Sequence, residues 1–191
     1  MAPANSINSK PIPTDRLSLR RVTAADAQAL FAIFSNADVM RYWSTPPMTD
    51  PAQAEKKIAD ALDAYCSELH LLYGIERTAD KTFIGTCTLF NINAQNRRAD
   101  IGYALGRPNW GAGFMHEALS ALVGYAFGAM NLLRLEADID PRNLASAKTL
   151  DRLGFQREGY LRERWIVNGE VSDSILYGLL SRDWPTRAAK K

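Results

Sequence analysis

Residues 108 to 118 read "PNWGAGFMHEA", and the apolar, alanine-rich run "LSALVGYAFGAM" follows them. Gly111 and Gly113 stand one residue apart, between the strand-like "ADIGYALG" (99–106) and what the pattern predicts as a helix to about Met130. A glycine turn before a helix leaves the first N–H groups of the helix unpaired at the positive end of its dipole, which suits a phosphate. A nucleoside-triphosphate loop would need a Lys-Ser/Thr pair opening the helix, and there is none. The dinucleotide pattern Gly-x-Gly-x-x-Gly meets His116 at its third glycine, and Glu136, at a tempting distance for a ribose contact, does not rescue it. A third candidate is a pyrophosphate-containing ligand bound without metal, of which coenzyme A is the obvious member.

Outward from this stretch, strands and helices mix. "RLSLRRV" (16–22) alternates as a half-buried strand, and Thr23 with Asp26 forms a capping-box pair before Ala27, Leu30, Phe31 and Phe34 at helical spacing. Asp50-Pro51 starts a second helix with Ala54, Ile58, Leu62 and Tyr65 as its stripe. "LHLLYGIE" and "TFIGTCTLFNI" read as strands around the turn "RTADK", and "LLRLEADID" as a strand after the long helix. Asn143 caps a short helix with Leu144, Ala147, Leu150 and Leu153 on one face and Gly154 at its end. Asn168-Gly169 joins two final strands as a hairpin. The order predicts a mixed α/β fold, a sheet with helices on its faces, in a single domain from 14 to 185 with tails at 1–13 and 186–191.

The 191 residues carry a net charge of +2, with 47% apolar and 23% charged residues, which is ordinary for a soluble globular chain and too balanced for a nucleic-acid face. No apolar run is long enough to span a bilayer and the N-terminus lacks a signal-peptide core, so the expectation is a cytoplasmic protein with no membrane partner. Cys66 and Cys87 lack metal-like spacing, and with only His70 and His116 beside them no metal is expected.

"IGYALGRPNWGAGFMHEAL" followed by "DPRNLASAKTLDRLGFQREGYLRERWIVNGEVSDSILYGLL" resembles the GNAT superfamily of N-acetyltransferases, and most of all its branch of Rim-type ribosomal-protein N-terminal acetyltransferases. The resemblance runs from about Thr14 to Trp184. It implies a three-layer αβα fold whose central, mostly antiparallel sheet splays at the cofactor site, with acetyl-CoA as cofactor and an amine, possibly a protein N-terminus, as acceptor. A monomer or homodimer is expected.

By this resemblance, Trp110, Gly111, Ala112, Gly113, Phe114 and Met115 form the pyrophosphate loop. Trp110 replaces the usual Gln or Arg, and Met115 a second small residue. Tyr103 and Leu105 pair through backbone with the pantetheine arm, the Leu105 N–H facing the thioester oxygen. Asn143 contacts the arm. Lys148 and Arg152, one turn apart on the short helix, are read from their spacing as candidates for the ribose phosphate, with a solvent-facing pair as the alternative reading. Many family members carry a Tyr that protonates the leaving thiolate where this chain has Leu150; Asn143 with Ser146 matches the N-x-x-S of the Rim-like branch, which makes Ser146 the candidate acid.

For the base, Asp100 and Glu136 are candidates, Glu136 the first choice because Leu135 and Ala137 flank it and suggest partial burial. Tyr42, Trp43, Tyr160 and Trp165 would wall an acceptor cleft. The acceptor loops hold no acidic cluster, which favours a peptide over an antibiotic or polyamine. A non-catalytic acyl-CoA-binding module is the rival from another class, and neither cysteine has a partner for covalent catalysis.

Overall fold

A computed structural model describes residues 10–67 and 69–184. The chain runs β1 (Ile12–Pro13), β2 (Leu17–Arg21), α1 (Ala27–Phe34), α2 (Ala37–Met40), α3 (Pro51–Ser67), β3 (Leu71–Arg77), β4 (Phe83–Asn93) and β5 (Arg98–Leu105). It continues α4 (Phe114–Gly128), β6 (Arg134–Ile139), α5 (Leu144–Arg152), β7 (Gln156–Val167) and β8 (Glu170–Leu180). The strands form one sheet in the order β1-β2-β3-β4-β5-β6-β8-β7. Every pairing is antiparallel except β5 with β6, the pair that α4 joins as a crossover.

Helices cover both faces because alternate strand residues feed two cores. Leu135, Ala137 and Ile139 of β6, with Ala99, Ile101 and Leu105 of β5, pack with Ala118, Leu119, Leu122, Val123 and Ala126 of α4 and Leu150 of α5. Leu72 and Ala104 join Leu30, Phe34, Ala54, Ile58 and Ala61 of α1 and α3 in the opposite layer. Asn168 and Gly169, both at positive φ, make the predicted hairpin turn, and Gly154 at φ 87° ends α5.

Four details depart from the sequence pattern. Ile12 and Pro13 pair with Leu19 and Ser18, so the sheet begins inside the stretch read as an N-terminal tail; residues 1–9 and 185–191 lie outside the described residues, as does the Cys66 side chain. Leu62 is 42% exposed while Ala61 takes its place in the core, because at about 100° per residue Ala61 falls about 20° from Ala54 around the helix and Leu62 about 80°. Leu144 at the start of α5 is 66% exposed, one turn before the helix reaches cover. A four-residue helix, α2, interrupts the loop before Tyr42, capped by Asn36, whose Oδ1 accepts from the N–H groups of Asp38 and Val39. Among the described residues no helix is long and apolar enough to cross a membrane.

The Thr23–Asp26 cap does more than start α1. Asp26 accepts the Thr23 N–H at 2.7 Å and a two-pronged contact from Arg20, 2.8 Å on each side, while Arg20 Nε reaches Glu76 at 2.6 Å. Burial alone would raise the Asp26 carboxyl, but the Arg20 fork and the Thr23 N–H outweigh it and hold it below its ordinary range. Its contribution to stability is therefore present above the unfolded value of about 3.9 and is lost as pH falls through the lowered folded value. Asp26→Ala should cost about 2–3 kcal/mol in urea unfolding at neutral pH, since it leaves one edge of a half-buried guanidinium without its carboxylate and the Thr23 N–H without its acceptor, and should cost progressively less in acid. An equal cost at both pH values would contradict this account.

Candidate active site

The β5–β6 ladder covers only Arg98–Asp100 against Arg134–Glu136. Beyond it β5 continues along β4 to Leu105, and β6 continues along β8 to Ile139, so the two strands part and leave a wedge in the sheet. The Gly106 N–H bonds the Ile84 carbonyl at 2.9 Å, which makes Gly85 and Leu105 a non-hydrogen-bonded pair. The backbone N–H groups of Leu105 and, two residues back, Tyr103 thus point away from β4 and into the wedge. The Leu105 carbonyl is taken by Trp110 Nε1 at 2.7 Å, which leaves the N–H as the free group there. Trp110 therefore fixes the glycine loop to the end of β5.

At the loop itself, Gly111 and Gly113 both adopt φ near +79°, a left-handed conformation that a β-carbon resists. Gly113 caps α4, whose first intrahelical bond runs from the Glu117 N–H to the Gly113 carbonyl at 3.1 Å. The N–H groups of Phe114, Met115 and His116 precede that bond and are presented at the helix start. Met115 does not obstruct them, because its side chain packs partly buried against the main core, as does that of Phe114. Arg16, which carries no sequence signal, braces the loop: its guanidinium reaches the Ala112 carbonyl at 3.1 Å and Glu117 at 2.7 Å and lies over the Phe114 ring. Thr14 adds a 2.6 Å bond to the same Glu117. Lys148 is exposed on α5, one turn before Arg152.

A cavity of about 670 Å³ passes through the wedge, lined among others by Tyr42, Trp43, Asp100, Tyr103, Glu136, Asn143, Ser146 and Trp165. Side-chain alternation sorts its chemistry by face. Ile101, Tyr103 and Leu105 lean to the α4/α5 layer, where Tyr103 Oη lies 2.6 Å from Ser146 Oγ. Asp100 and Glu136, register partners at the last rung before the strands part, lean to the α1–α3 layer. Thus candidate acid and candidate base lie on opposite faces, with the opening between them. Ser146 is oriented by Asn143, whose Oδ1 accepts the Ser146 N–H at 3.1 Å.

The two carboxylates differ. Glu136 is held at both oxygens, by Arg98 at 2.8 Å and Arg134 at 2.7 Å, so the partial burial inferred from its neighbours does not leave it free. Asp100 accepts from Asn91 at 2.7 Å through Oδ2, while its buried Oδ1 has no hydrogen-bond partner. Burial, with the Glu136 charge beside it, raises the Asp100 carboxyl above its ordinary range against the pull of Asn91 and Arg98. Asn91 sits at φ 50° in the irregular stretch of β4 between Phe90 and Asn93, which aims it at Asp100. These features rank Asp100 ahead of Glu136, reversing the order drawn from sequence neighbours.

On the acceptor side Trp43 packs edge-on against Phe34, and Trp165 Nε1 donates to Ser174 at 3.1 Å. Tyr160 is not part of the cleft. An irregularity between Arg157 and Gly159 shifts the alternation of β7, so Tyr160 faces outward, donating to Asp173, and Leu161 lines the cleft instead. The cleft does carry acidic groups: the strands bring Asp100, Glu136, Asp138 and Glu158 to its lining, and the loop after β6 adds Asp140. Among the described residues no group of three or more potential metal ligands converges.

A wedge with free N–H groups, a helix N-terminus at its mouth and a carboxylate across from a hydroxyl define an acyl-CoA-dependent acyltransferase. The family model described as "Acetyltransferase (GNAT) domain" matches residues 16–156. The chain belongs to the GNAT family and is an acetyl-CoA-dependent N-acetyltransferase. It is 37% identical over 171 residues to the uncharacterized N-acetyltransferase p20 of Bacillus licheniformis, covering 90% of this chain and 96% of that protein. It is 29% identical to the ribosomal protein uS5-alanine N-acetyltransferase of Escherichia coli strain K12 (91% and 92% covered), and 27% identical to the spermidine N(1)-acetyltransferase of the same strain (92% and 86%). A crystal structure of a probable acetyltransferase superposes with a TM-score of 0.83 at 27% identity, covering 93% of this chain and all of that one.

Proposed function

We propose that the acceptor is the α-amino group of a protein or peptide N-terminus, as in the ribosomal-protein type of this family. The observation that carries this reading is a charge balance. Arg98, Arg134, Arg142 and Arg164 form ion pairs with Asp100, Glu136, Glu158, Asp140 and Asp138, Arg142 also reaching Glu170 outside the lining, so four cations face the five carboxylates of the cleft, a surplus of one negative charge. One ammonium group matches that surplus, whereas a polyamine brings several cations. The aromatic walls Tyr42, Trp43 and Trp165 suit the first side chains of an extended peptide.

In this reading the residues divide the work by face. Acetyl-CoA supplies an acetyl thioester. The free N–H groups at the start of α4 and in the wedge hold its diphosphate and pantetheine, and the Leu105 N–H donates to the carbonyl oxygen where charge develops. Asp100 accepts the amine proton, a modest task for an α-amino group of pKa about 8. Ser146, at the N-terminus of α5, gives a proton to the departing sulfur. The enzyme is read as cytoplasmic, with its buried Cys87 a free thiol.

The number of carboxylates itself favours a second reading, a polyamine acceptor. Thiol release measured with acetyl-CoA against N-terminal peptides, spermidine and an aminoglycoside separates the two. The expected result is a kcat/KM for the best peptide about tenfold or more above that for spermidine, the factor that corresponds to about 1.4 kcal/mol. A preference for spermidine would replace the peptide reading with the polyamine one.

A further inference from the structure

We propose that the Tyr103 phenol supplies the proton that Ser146 delivers to the departing sulfur, so that the two hydroxyls work as a relay. The inference rests on the acyl-transfer reading above and extends it to a side chain whose backbone alone was expected to matter. A serine hydroxyl is by itself a poor acid, and Leu150, where many family members place their tyrosine, is fully buried in the core. Tyr103 approaches the same spot from the strand instead of the helix. Its oxygen is 2.6 Å from Ser146 Oγ, Ser146 is only 8% exposed, and both line the cavity. Tyr177, the other phenol lining the cavity near this face, makes no hydrogen bond to Ser146 among the described residues.

A phenol is a stronger acid than an alcohol, so in the Tyr103–Ser146 bond the phenol is the natural donor, which frees the Ser146 proton to point into the wedge. As the carbon–sulfur bond breaks, its electron pair goes to sulfur and sulfur takes the Ser146 proton. Ser146 Oγ takes the phenolic proton, and the tyrosinate regains one from water in the cleft that it lines. Burial pushes the phenol up to about 12, with the Ser146 bond working against that rise. The same burial raises the proton affinity of a thiolate in the wedge, so donor and acceptor move together.

Tyr103→Phe, Ser146→Ala and the double variant of the full chain test the relay. Each single variant should lose about 10²-fold in kcat with KM for acetyl-CoA within about twofold, and the double variant should be no slower than Ser146→Ala, as for groups acting in series. A second readout needs no turnover: ultraviolet titration of the thiol of bound coenzyme A. Tyr103→Phe should leave about tenfold less thiolate at a fixed pH, a shift of about one unit. Wild-type kcat and an unchanged thiol titration in Tyr103→Phe would overturn the relay, as would losses that multiply in the double variant. Weaker binding of free coenzyme A with unchanged kcat would reduce Tyr103 to a packing residue. Should no amine be turned over by the wild-type protein, the acyl-transfer reading fails on that ground, and the thiol titration still decides for or against the Tyr103 contact.

Discussion

Asp100→Asn should lower kcat/KM by about 10²-fold or more, the range of a positioned general base, while leaving coenzyme A binding intact. The amide keeps the bond with Asn91 and the shape of the last β5–β6 rung but cannot take a proton. The pH profile gives the sharper signature. In the wild-type enzyme log kcat/KM rises with slope one below the Asp100 value and is then level, because the ionised carboxylate takes the proton that the ammonium brings; in Asp100→Asn only the free amine reacts, and the rise continues to the pKa of the amine, about 8. Glu136→Gln should cost much less and keep the level region above the Asp100 value. Removing the charge of Glu136 lets Asp100 ionise more readily, so the acidic limb of that variant moves to lower pH. If Glu136→Gln proved the slower variant and its rise continued to the pKa of the amine, the base would be Glu136.

Gly113→Val is expected to weaken coenzyme A binding by about 10- to 100-fold, measured by calorimetric titration. Gly113 caps α4 at φ 79°, where a β-branched residue is strained by about 1–3 kcal/mol. The nearest atom to an added β-carbon is an Arg16 nitrogen at 3.6 Å, so the strain lies in the backbone and not in a clash. Relieving it means turning the Gly113–Met115 peptides, and with them the N–H groups that the site presents. Gly124→Ala, inside α4 with open space around the added carbon, should bind coenzyme A as the wild type does and serves as the control. Equal affinity of Gly113→Val and wild type would mean that the diphosphate lies elsewhere.

The two glycines of the opening stretch were legible because φ above zero is a local demand that few residues meet. The same holds for the Asn143 cap, the Asn168-Gly169 turn and the alternation of Leu135, Ala137 and Ile139, each set by residues a few positions apart. From these the order of the main elements and the mixed sheet could be read directly. Leu62, Leu144 and Tyr160 show the limit of that reading: amphipathic spacing finds an apolar stripe, but a neighbouring element or a strand irregularity decides which edge of it is covered.

What only the tertiary structure decided is pairing across long separations. Arg98 and Arg134 close on Glu136, while Asn91 reaches Asp100 and leaves its other oxygen without a partner. Arg16 braces a glycine loop almost a hundred residues away, and Tyr103 meets Ser146 across the opening of the sheet. Spacing along the chain fixes the face on which each side chain lies. Charge compensation and hydrogen bonding depend on which strands become neighbours, and the parting of β5 from β6 after a single short ladder is a property of the whole sheet.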